Sequence, residues 1–181
     1  ERSLPEAVRV LAPGGRLLVG QDTRRSGDML SAALVAGATS MGADVHRLGV
    51  CPTPALSFVT ADAGYGAGIM VSASHNPSDD NGLKVLDERG LKLDDAVEDE
   101  LEALIGRADE LPSPTNGGIG REVDARAALD RYRAHRTGLA QRARGGFRVS
   151  LDCAHGSGCT VAPDIIAASG AGGSRPGMRQ N

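Results

Sequence analysis

The chain has 181 residues, 40% of them hydrophobic and 24% charged, with a net charge of −3 and a pI of about 5.8. That is the make-up of one globular domain, or of one domain and part of a second, and with two Phe, two Tyr and no Trp its core must be aliphatic. A membrane-spanning helix is excluded because no apolar run approaches ~20 residues. Nucleic acid is disfavoured as a partner, since the Arg-rich segment from Arg121 to Arg148 lacks interleaved aromatics and the chain as a whole is acidic.

Cys51, Cys153 and Cys159 are odd in number and form no C-x-x-C pair. They read as small buried thiols of a reducing compartment, which makes the cytoplasm the expected location. Glu1 opens an amphipathic stretch without the basic and apolar regions of a secretory signal. The absence of an initiator Met leaves room for residues upstream.

In chain order, Arg16 to Gly20 reads as a buried strand. Ser26 is expected to cap a helix with Leu30, Leu34, Gly37, Ala38 and Met41 inward, ended by Gly42. Val45 to Val50 is the next strand. Thr53 is expected to cap a helix over Ala55 to Ala63, with Pro54 in its first turn. Ala67 to Val71 is a third strand, and this β-α-β-α-β alternation implies an α/β layered domain with a largely parallel sheet. Leu83 to Leu86 is a short strand turned by Arg89-Gly90. Asp94 and Asp95 then open an acidic helix with Val97, Leu101, Leu104 and Ile105 on one face; carboxylates there suit the helix dipole. Residues 111–120 form a loop, and Asp124 is expected to cap a helix with Leu129, Tyr132 and Leu139 inward. Arg144-Gly145-Gly146 reads as a linker. Phe147 to Cys153 starts a second β-α unit that passes through His155-Gly156-Ser157-Gly158 into a helix up to Ala168. The residues after Gly170 show no periodicity and read as a disordered end or a tail of doubtful origin.

The chemistry concentrates in Gly68-Ile69-Met70-Val71-Ser72-Ala73-Ser74-His75-Asn76-Pro77, followed by Asp80-Asn81-Gly82-Leu83-Lys84. An apolar strand runs into a turn that displays a hydroxyl, an imidazole and an amide, with a cation behind it. A serine hydroxyl is a weak nucleophile without a base or a reactive partner. No G-x-S-x-G elbow is present, and Ser74 and His75, as sequence neighbours, are expected to point apart, which disfavours a simple dyad. A phosphate-binding or phosphate-carrying loop fits, with Lys84 as a point charge for phosphate oxygens. A polar strand-to-loop turn closed by Asn76-Pro77 is the alternative. Gly64-Tyr65-Gly66-Ala67-Gly68 precedes a strand, where a dinucleotide fingerprint must follow one. Gly156-Ser157-Gly158 has Val161 at its third glycine position and no acidic residue about 20 residues on.

The stretch from Gly68 to Lys84 closely resembles the phosphoserine loop of the α-D-phosphohexomutases, and its wording is most similar to the branch that acts on glucosamine phosphates. Val19-Gly20-Gln21-Asp22-Thr23-Arg24-Arg25-Ser26-Gly27 resembles that family's G-R-D-T-R-x-S-G, with Gln21 in place of Arg. Leu48-Gly49-Val50-Cys51-Pro52-Thr53-Pro54 resembles its L-G-x-x-P-T-P, and Ile119-Gly120-Arg121 an I-G-R after the acidic helix. Leu151-Asp152-Cys153-Ala154-His155-Gly156 is similar to the D-C-A-N-G that opens the second domain, with His155 for Asn.

The resemblance implies a phosphohexomutase first domain over residues 1–144, a layered mixed/parallel sheet, followed over 145–181 by the start of a second similar α/β domain. It implies that Ser74 carries the phosphoryl group and passes it to a hexosamine phosphate through a 1,6-bisphosphate, interconverting glucosamine 6-phosphate and glucosamine 1-phosphate. By the same resemblance Mg²⁺ is the cofactor, held through the Ser74 phosphate. Lys84 offsets charge at the transferring group, His75 is a substrate or proton-transfer contact, Asn76 shapes the loop and Arg24 faces the cleft as a phosphate contact. The partner is a small sugar phosphate.

The family's D-G-D-x-D-R metal loop and its later sugar and phosphate loops are missing from the sequence, as is its amino-terminal T-D-G-I-R-G. Asp79 and Asp80 read as turn residues, not substitute ligands, so this chain alone is not expected to turn over sugar. Sister activities on mannose or glucose phosphates, or an inactive phosphate-binding module, are the competing expectations.

Overall fold

The computed structural model describes residues 15–107, 114–142, 146 and 148–174. The expected linker at Arg144 and Gly145, the strand start at Phe147, residues 111–113 and the tail from 175 lie outside the described residues.

Five strands form the main sheet: β1 (Arg16–Gln21), β2 (Asp44–Val50), β3 (Ala67–Val71), β4 (Leu83–Leu86) and β5 (Glu122–Asp124), in the order β4-β3-β1-β2-β5. β1 pairs in parallel with β2 and β3, β2 in parallel with β5, and only β4 runs antiparallel, against β3. The mixed, mainly parallel α/β sheet is thus as expected. A central parallel strand is buried on both faces, which is why Leu17, Leu18 and Val19 are consecutive apolar residues, all in the core.

Alternation along the strands sends two sets of side chains to opposite faces. Leu18, Met70 and Leu86 pack under Ala55, Leu56 and Val59 of helix α2 (Thr53–Asp62). Leu17, Val19, Val45, Ala67 and Val71 pack under Val35 and Ala38 of helix α1 (Gly27–Ser40). Helix α3 (Asp95–Ile105) buries no residue fully. Its Val97 and Leu101 line a shallow apolar pocket with Leu17, Ala67, Ile69 and Val85. Ile105, expected inward, is 75% exposed.

Several local expectations are corrected. The buried stripe of α1 is Gly27, Ser31, Val35 and Ala38, one position later than Leu30 and Leu34, which pack beside it. Ser31 faces in because its hydroxyl donates to Gln21 Oε1 at 2.7 Å. Ser26 precedes α1 without capping it; its Oγ instead accepts from Asn81 Nδ2 at 2.9 Å. Thr53 lies within α2, preceded by Pro52, and only Pro54 takes its expected place in the first turn. Asp124 caps no α-helix: it ends the edge strand β5, and helix α4 (Leu129–Ala140) begins after a 3-10 turn, Arg126–Ala128. Leu129 and Tyr132 are buried as expected, whereas Leu139 is 42% exposed.

A separate two-stranded parallel sheet pairs β6 (Arg148–Ser150) with β7 (Gly172–Ser174), joined through helix α5 (Ala162–Ala168). β7 falls in the stretch expected to be aperiodic. Val161 and Ile165 join the core cluster of Leu129 and Tyr132, and Arg133 donates to the Thr160 carbonyl from Nε (3.1 Å) and Nη2 (2.8 Å), so this second βαβ unit is seated on α4.

Candidate active site

Gln21 and Val71, the last residues of β1 and β3, stand side by side in the sheet, and Asp22 N–H donates to the Val71 carbonyl at 3.0 Å. The two strands therefore deliver two loops to one place, residues 22–26 and 72–82. Carboxyl ends of parallel strands are where open α/β sheets present ligand-binding loops.

The longer loop is closed at its base by Ser72 N–H donating to the Gly82 carbonyl at 2.8 Å. Asn81 fastens it to the start of α1 through Ser26 and accepts from Gly82 N–H at 2.8 Å. Asp22 is the foundation. One carboxylate oxygen accepts the Arg24 amide at 2.9 Å; the other accepts the Ser72 hydroxyl at 2.8 Å and Arg24 Nε at 3.2 Å. Ser72 Oγ in turn accepts the Ser74 amide at 3.0 Å. The carboxylate thus reaches the backbone of Ser74 through one hydroxyl.

Ser74 sits at φ +56°, in the left-handed region. For a residue with a Cβ this backbone costs about 1–2 kcal/mol and persists only where the surroundings enforce it. Ser74 and His75 are exposed. Contrary to the expectation that their side chains diverge, Ser74 Oγ lies 3.0 Å from His75 Nδ1. The alternation rule applies to extended backbone, and Ser74 is not extended. Which group donates follows the imidazole tautomer.

Arg24, expected to face the cleft, turns its guanidinium to the backbone of the serine loop. Its Nη2 donates to the carbonyls of Ser74 (3.2 Å) and Asn76 (2.7 Å), and its Nη1 to those of Asp80 (2.9 Å) and Pro77. With Nε on Asp22, all five donors of the guanidinium are engaged. Asn76 Nδ2 donates to Asp80 Oδ2 at 3.2 Å, within the same loop. Lys84 lies on β4 opposite Met70, and its side chain makes no ion pair or hydrogen bond with another described residue. Ser74, His75, Asn76 and Arg24 are therefore brought together, with Lys84 on the neighbouring strand.

Sequence reasoning passed over Asp22 and undervalued Ser72. A signal existed: an Asp with an Arg two residues on, just past a strand, forms an Asx-type turn. The same turn recurs at Asp87/Arg89 and Asp124/Arg126, each Asp accepting the arginine amide at 3.0 Å. At Asp124 the bond to the Arg126 side chain holds the carboxyl down to about 2.

Among the described residues no group of three or more His, Cys, Asp or Glu is gathered as a metal site. Ser74 contributes one oxygen, and the Asp80 side chain is turned to Asn76. These residues do not by themselves complete the six-oxygen shell that Mg²⁺ requires.

Comparison with known proteins agrees with this architecture. Residues 4–112 match the family model described as phosphoglucomutase/phosphomannomutase, alpha/beta/alpha domain I. The chain belongs to that family, the α-D-phosphohexomutases of the sequence resemblance. It is 48% identical over 161 residues to a phosphoglucosamine mutase of Mycolicibacterium paratuberculosis, covering 88% of this chain and 36% of the relative. It is also 48% identical over 157 residues to a phosphoglucosamine mutase of Moorella thermoacetica, covering 86% and 35%. The crystal structure of a phosphoglucomutase/phosphomannomutase family protein from Burkholderia thailandensis superposes with a TM-score of 0.75 at 26% identity, over 96% of this chain and 40% of that one. The chain thus spans about a third of the length of the curated relatives it matches.

Proposed function

We propose that the protein carrying this chain is a phosphoglucosamine mutase, an isomerase that interconverts glucosamine 6-phosphate and glucosamine 1-phosphate, with Ser74 as its phosphate carrier. The observation that carries the proposal is the exposed Ser74 at φ +56°, with Oγ 3.0 Å from His75 Nδ1, its amide held by Ser72 and its carbonyl by Arg24. Near-half identity to two phosphoglucosamine mutases supports the choice of sugar over the sister mannose and glucose phosphates.

In this reaction the O1 hydroxyl of glucosamine 6-phosphate attacks the phosphorus on Ser74. The new O1–P bond forms, the Oγ–P bond breaks, and the hydroxyl proton ends on Ser74 Oγ. The 1,6-bisphosphate turns over, Oγ attacks the 6-phosphoryl, O6 takes the proton, and glucosamine 1-phosphate leaves with Ser74 reloaded. His75 Nδ1 is close enough to Oγ to hand over and receive that proton. Lys84, with no partner among the described residues, supplies positive charge for the transferring phosphoryl. Phosphoserine adds about −1.5 to −2 charges, which an unpaired ammonium offsets. The Mg²⁺ implied by the resemblance is proposed as a ligand of that phosphate, and none of these side-chain roles depends on it.

Residues 1–144 are proposed as the first domain and 145–181 as the start of a second, in keeping with two separate sheets. The product would feed UDP-N-acetylglucosamine synthesis in the cytoplasm, where Cys51, Cys153 and Cys159, which form no disulfide, stay reduced. Among the described residues no helix is long and apolar enough to cross a membrane.

The test uses the full-length protein. Incubation with glucosamine 1,6-bisphosphate should leave one phosphate per chain by intact mass, located on Ser74 by peptide mapping, and none on the Ser74→Ala variant. Turnover of glucosamine, mannose and glucose phosphates is compared in the same preparation. Full activity in Ser74→Ala, or faster turnover of mannose or glucose phosphate, would reject the assignment.

A further inference from the structure

Three turns of this chain share one local design, an aspartate whose carboxylate accepts both the amide and the guanidinium of the arginine two residues on. At Asp87/Arg89 and Asp124/Arg126 the arginine side chain is 70% and 76% exposed. At Asp22/Arg24 it is 13% exposed, and the aspartate is equally covered. The difference is where the fork goes. Arg24 Nη1 and Nη2 leave Asp22 and reach fifty or more residues along the chain, to the carbonyls of Ser74, Asn76, Pro77 and Asp80.

We propose that Arg24 is a positioning residue that holds the serine loop in its presenting conformation, and that it does not bind the substrate's phosphate. The proposal rests on Ser74 being the phosphate carrier. Four carbonyl oxygens of one loop converge on one cation, so the loop is wrapped around Arg24 with its side chains turned outward. Two of those carbonyls belong to Ser74 itself and to Asn76, which bracket His75. The Ser74 amide is held from the other side by Ser72 Oγ, which is held by the same Asp22. The left-handed backbone of Ser74 is therefore fixed at its N–H and at its C=O by two arms that start from one carboxylate. A guanidinium with five engaged donors has none left for a phosphoryl oxygen. Lysine could not replace it, because an ammonium has three donors and no planar fork.

The loop is consequently formed before phosphate arrives, and loss of the clamp should reach the chemical step rather than substrate capture. Misplacing a reacting group by about 1 Å costs on the order of 10²-fold. In the full-length enzyme, Arg24→Ala and Arg24→Lys should each lower kcat by about that factor with KM within about threefold. Guanidinium ion in the millimolar range should restore Arg24→Ala at least tenfold, and should not affect Ser74→Ala. If the substitutions impair folding, the wild-type protein decides: ¹⁵N resonances of the Arg24 guanidinium should stay unmoved as glucosamine 6-phosphate is titrated in. The proposal is overturned by a KM raised more than tenfold at unchanged kcat, by unchanged kcat in both variants, or by a substrate-dependent shift of the Arg24 resonances. Those results, with Ser74→Ala inactive, leave the phosphoserine reading standing; activity in Ser74→Ala removes both.

Discussion

Ser74 Oγ stands 3.0 Å from Nδ1 of His75, its immediate neighbour in the chain. Adjacent side chains meet this way only when the backbone between them leaves the extended region, and Ser74 does so at φ +56°. The geometry that brings a hydroxyl to an imidazole is therefore bound to a backbone cost at the same residue. Ser74→Gly removes that cost and Ser74→Ala keeps it, while both lose the hydroxyl. In urea unfolding the Gly variant should be more stable than the Ala variant by about 1 kcal/mol. Equal stabilities would mean that the loop relaxes once the hydroxyl is gone, and that nothing enforces the turn.

Lys84 offers the opposite signature. It lies half-buried on β4 with no partner among the described residues. Its removal should leave stability almost unchanged, since no ion pair is broken and its stem is replaceable. Lys84→Met in the full-length enzyme should melt within a few degrees of wild type yet load Ser74 more slowly by about 10²–10³-fold, the range for loss of one donor to a developing charge. A large drop in melting temperature with loading intact would make Lys84 a structural residue instead.

The sequence showed the strands and the serine loop well because those signals are local. Consecutive apolar residues at Leu17 to Val19, the turn at Pro52-Thr53-Pro54 and the polar run after Val71 need no distant partner to be read. β5 was missed because Glu122, Val123 and Asp124 are all exposed; its strand character comes only from pairing with β2. β7 was missed for a related reason, since Gly172–Ser174 is ordered by β6. The contact of Ser74 with His75 was misjudged because the left-handed turn is imposed by Arg24 and Asp22, about fifty residues earlier. The four carbonyls that Arg24 reaches could not be read from the sequence, because backbone acceptors carry no mark in side-chain identity. His155, where the sequence resemblance expects Asn, adopts φ +55°, a conformation that both Asn and His adopt more readily than most residues.

His46 makes stability depend on pH on the alkaline side of the carboxylate range. Burial, and then the charge of Arg16, push its pKa below the ordinary 6.5. Its Nδ1 lies 3.2 Å from the Tyr65 hydroxyl, a bond whose donor follows the imidazole tautomer. The unfolded chain therefore binds a proton that the folded one resists. The stability contributed is complete above pH 6.5 and falls as pH drops through 6.5 toward the folded value. Melting temperatures at pH 7.5 and 5.5 should differ more for wild type than for His46→Gln. The same difference in both would assign the acid sensitivity elsewhere.

The three thiols should separate by reactivity. Cys51 is fully buried against Gly20 and Leu56, and burial raises its pKa to about 12, so no thiolate forms at ordinary pH. Cys153 and Cys159 are only half-covered. A chromogenic disulfide reagent at pH 8 should titrate two thiols per chain in the native protein and a third only in guanidinium chloride. Rapid reaction of all three would show that the α2 face of the sheet opens on the timescale of the assay.

Gly120 connects a short motif to the edge of the fold. Its N–H donates to the Thr39 carbonyl at 2.9 Å; the next residue donates from Arg121 N–H to Asp44 Oδ1 at 2.8 Å, and the Arg121 carbonyl accepts from Val45 at 2.8 Å. These bonds deliver β5 to β2. A Cβ on Gly120 would strike the backbone carbonyl of Ala43, which cannot rotate away as a side chain would. At Gly117, in the same loop, a Cβ meets nothing within 4 Å. Gly120→Ala should therefore cost about 2–3 kcal/mol, at the upper end of overpacking substitutions, whereas Gly117→Ala should stay within about 0.5 kcal/mol. Hydrogen exchange should localise the loss: amides of Gly120, Val45 and Ala125, whose bonds tie β5 and its flanks to the sheet, lose protection while those of β1 and β3 keep it. Because the serine loop hangs from β1 and β3, Ser74 should still accept phosphate in Gly120→Ala at temperatures where the variant is folded. Loss of loading there would mean that the far edge of the sheet controls the serine loop.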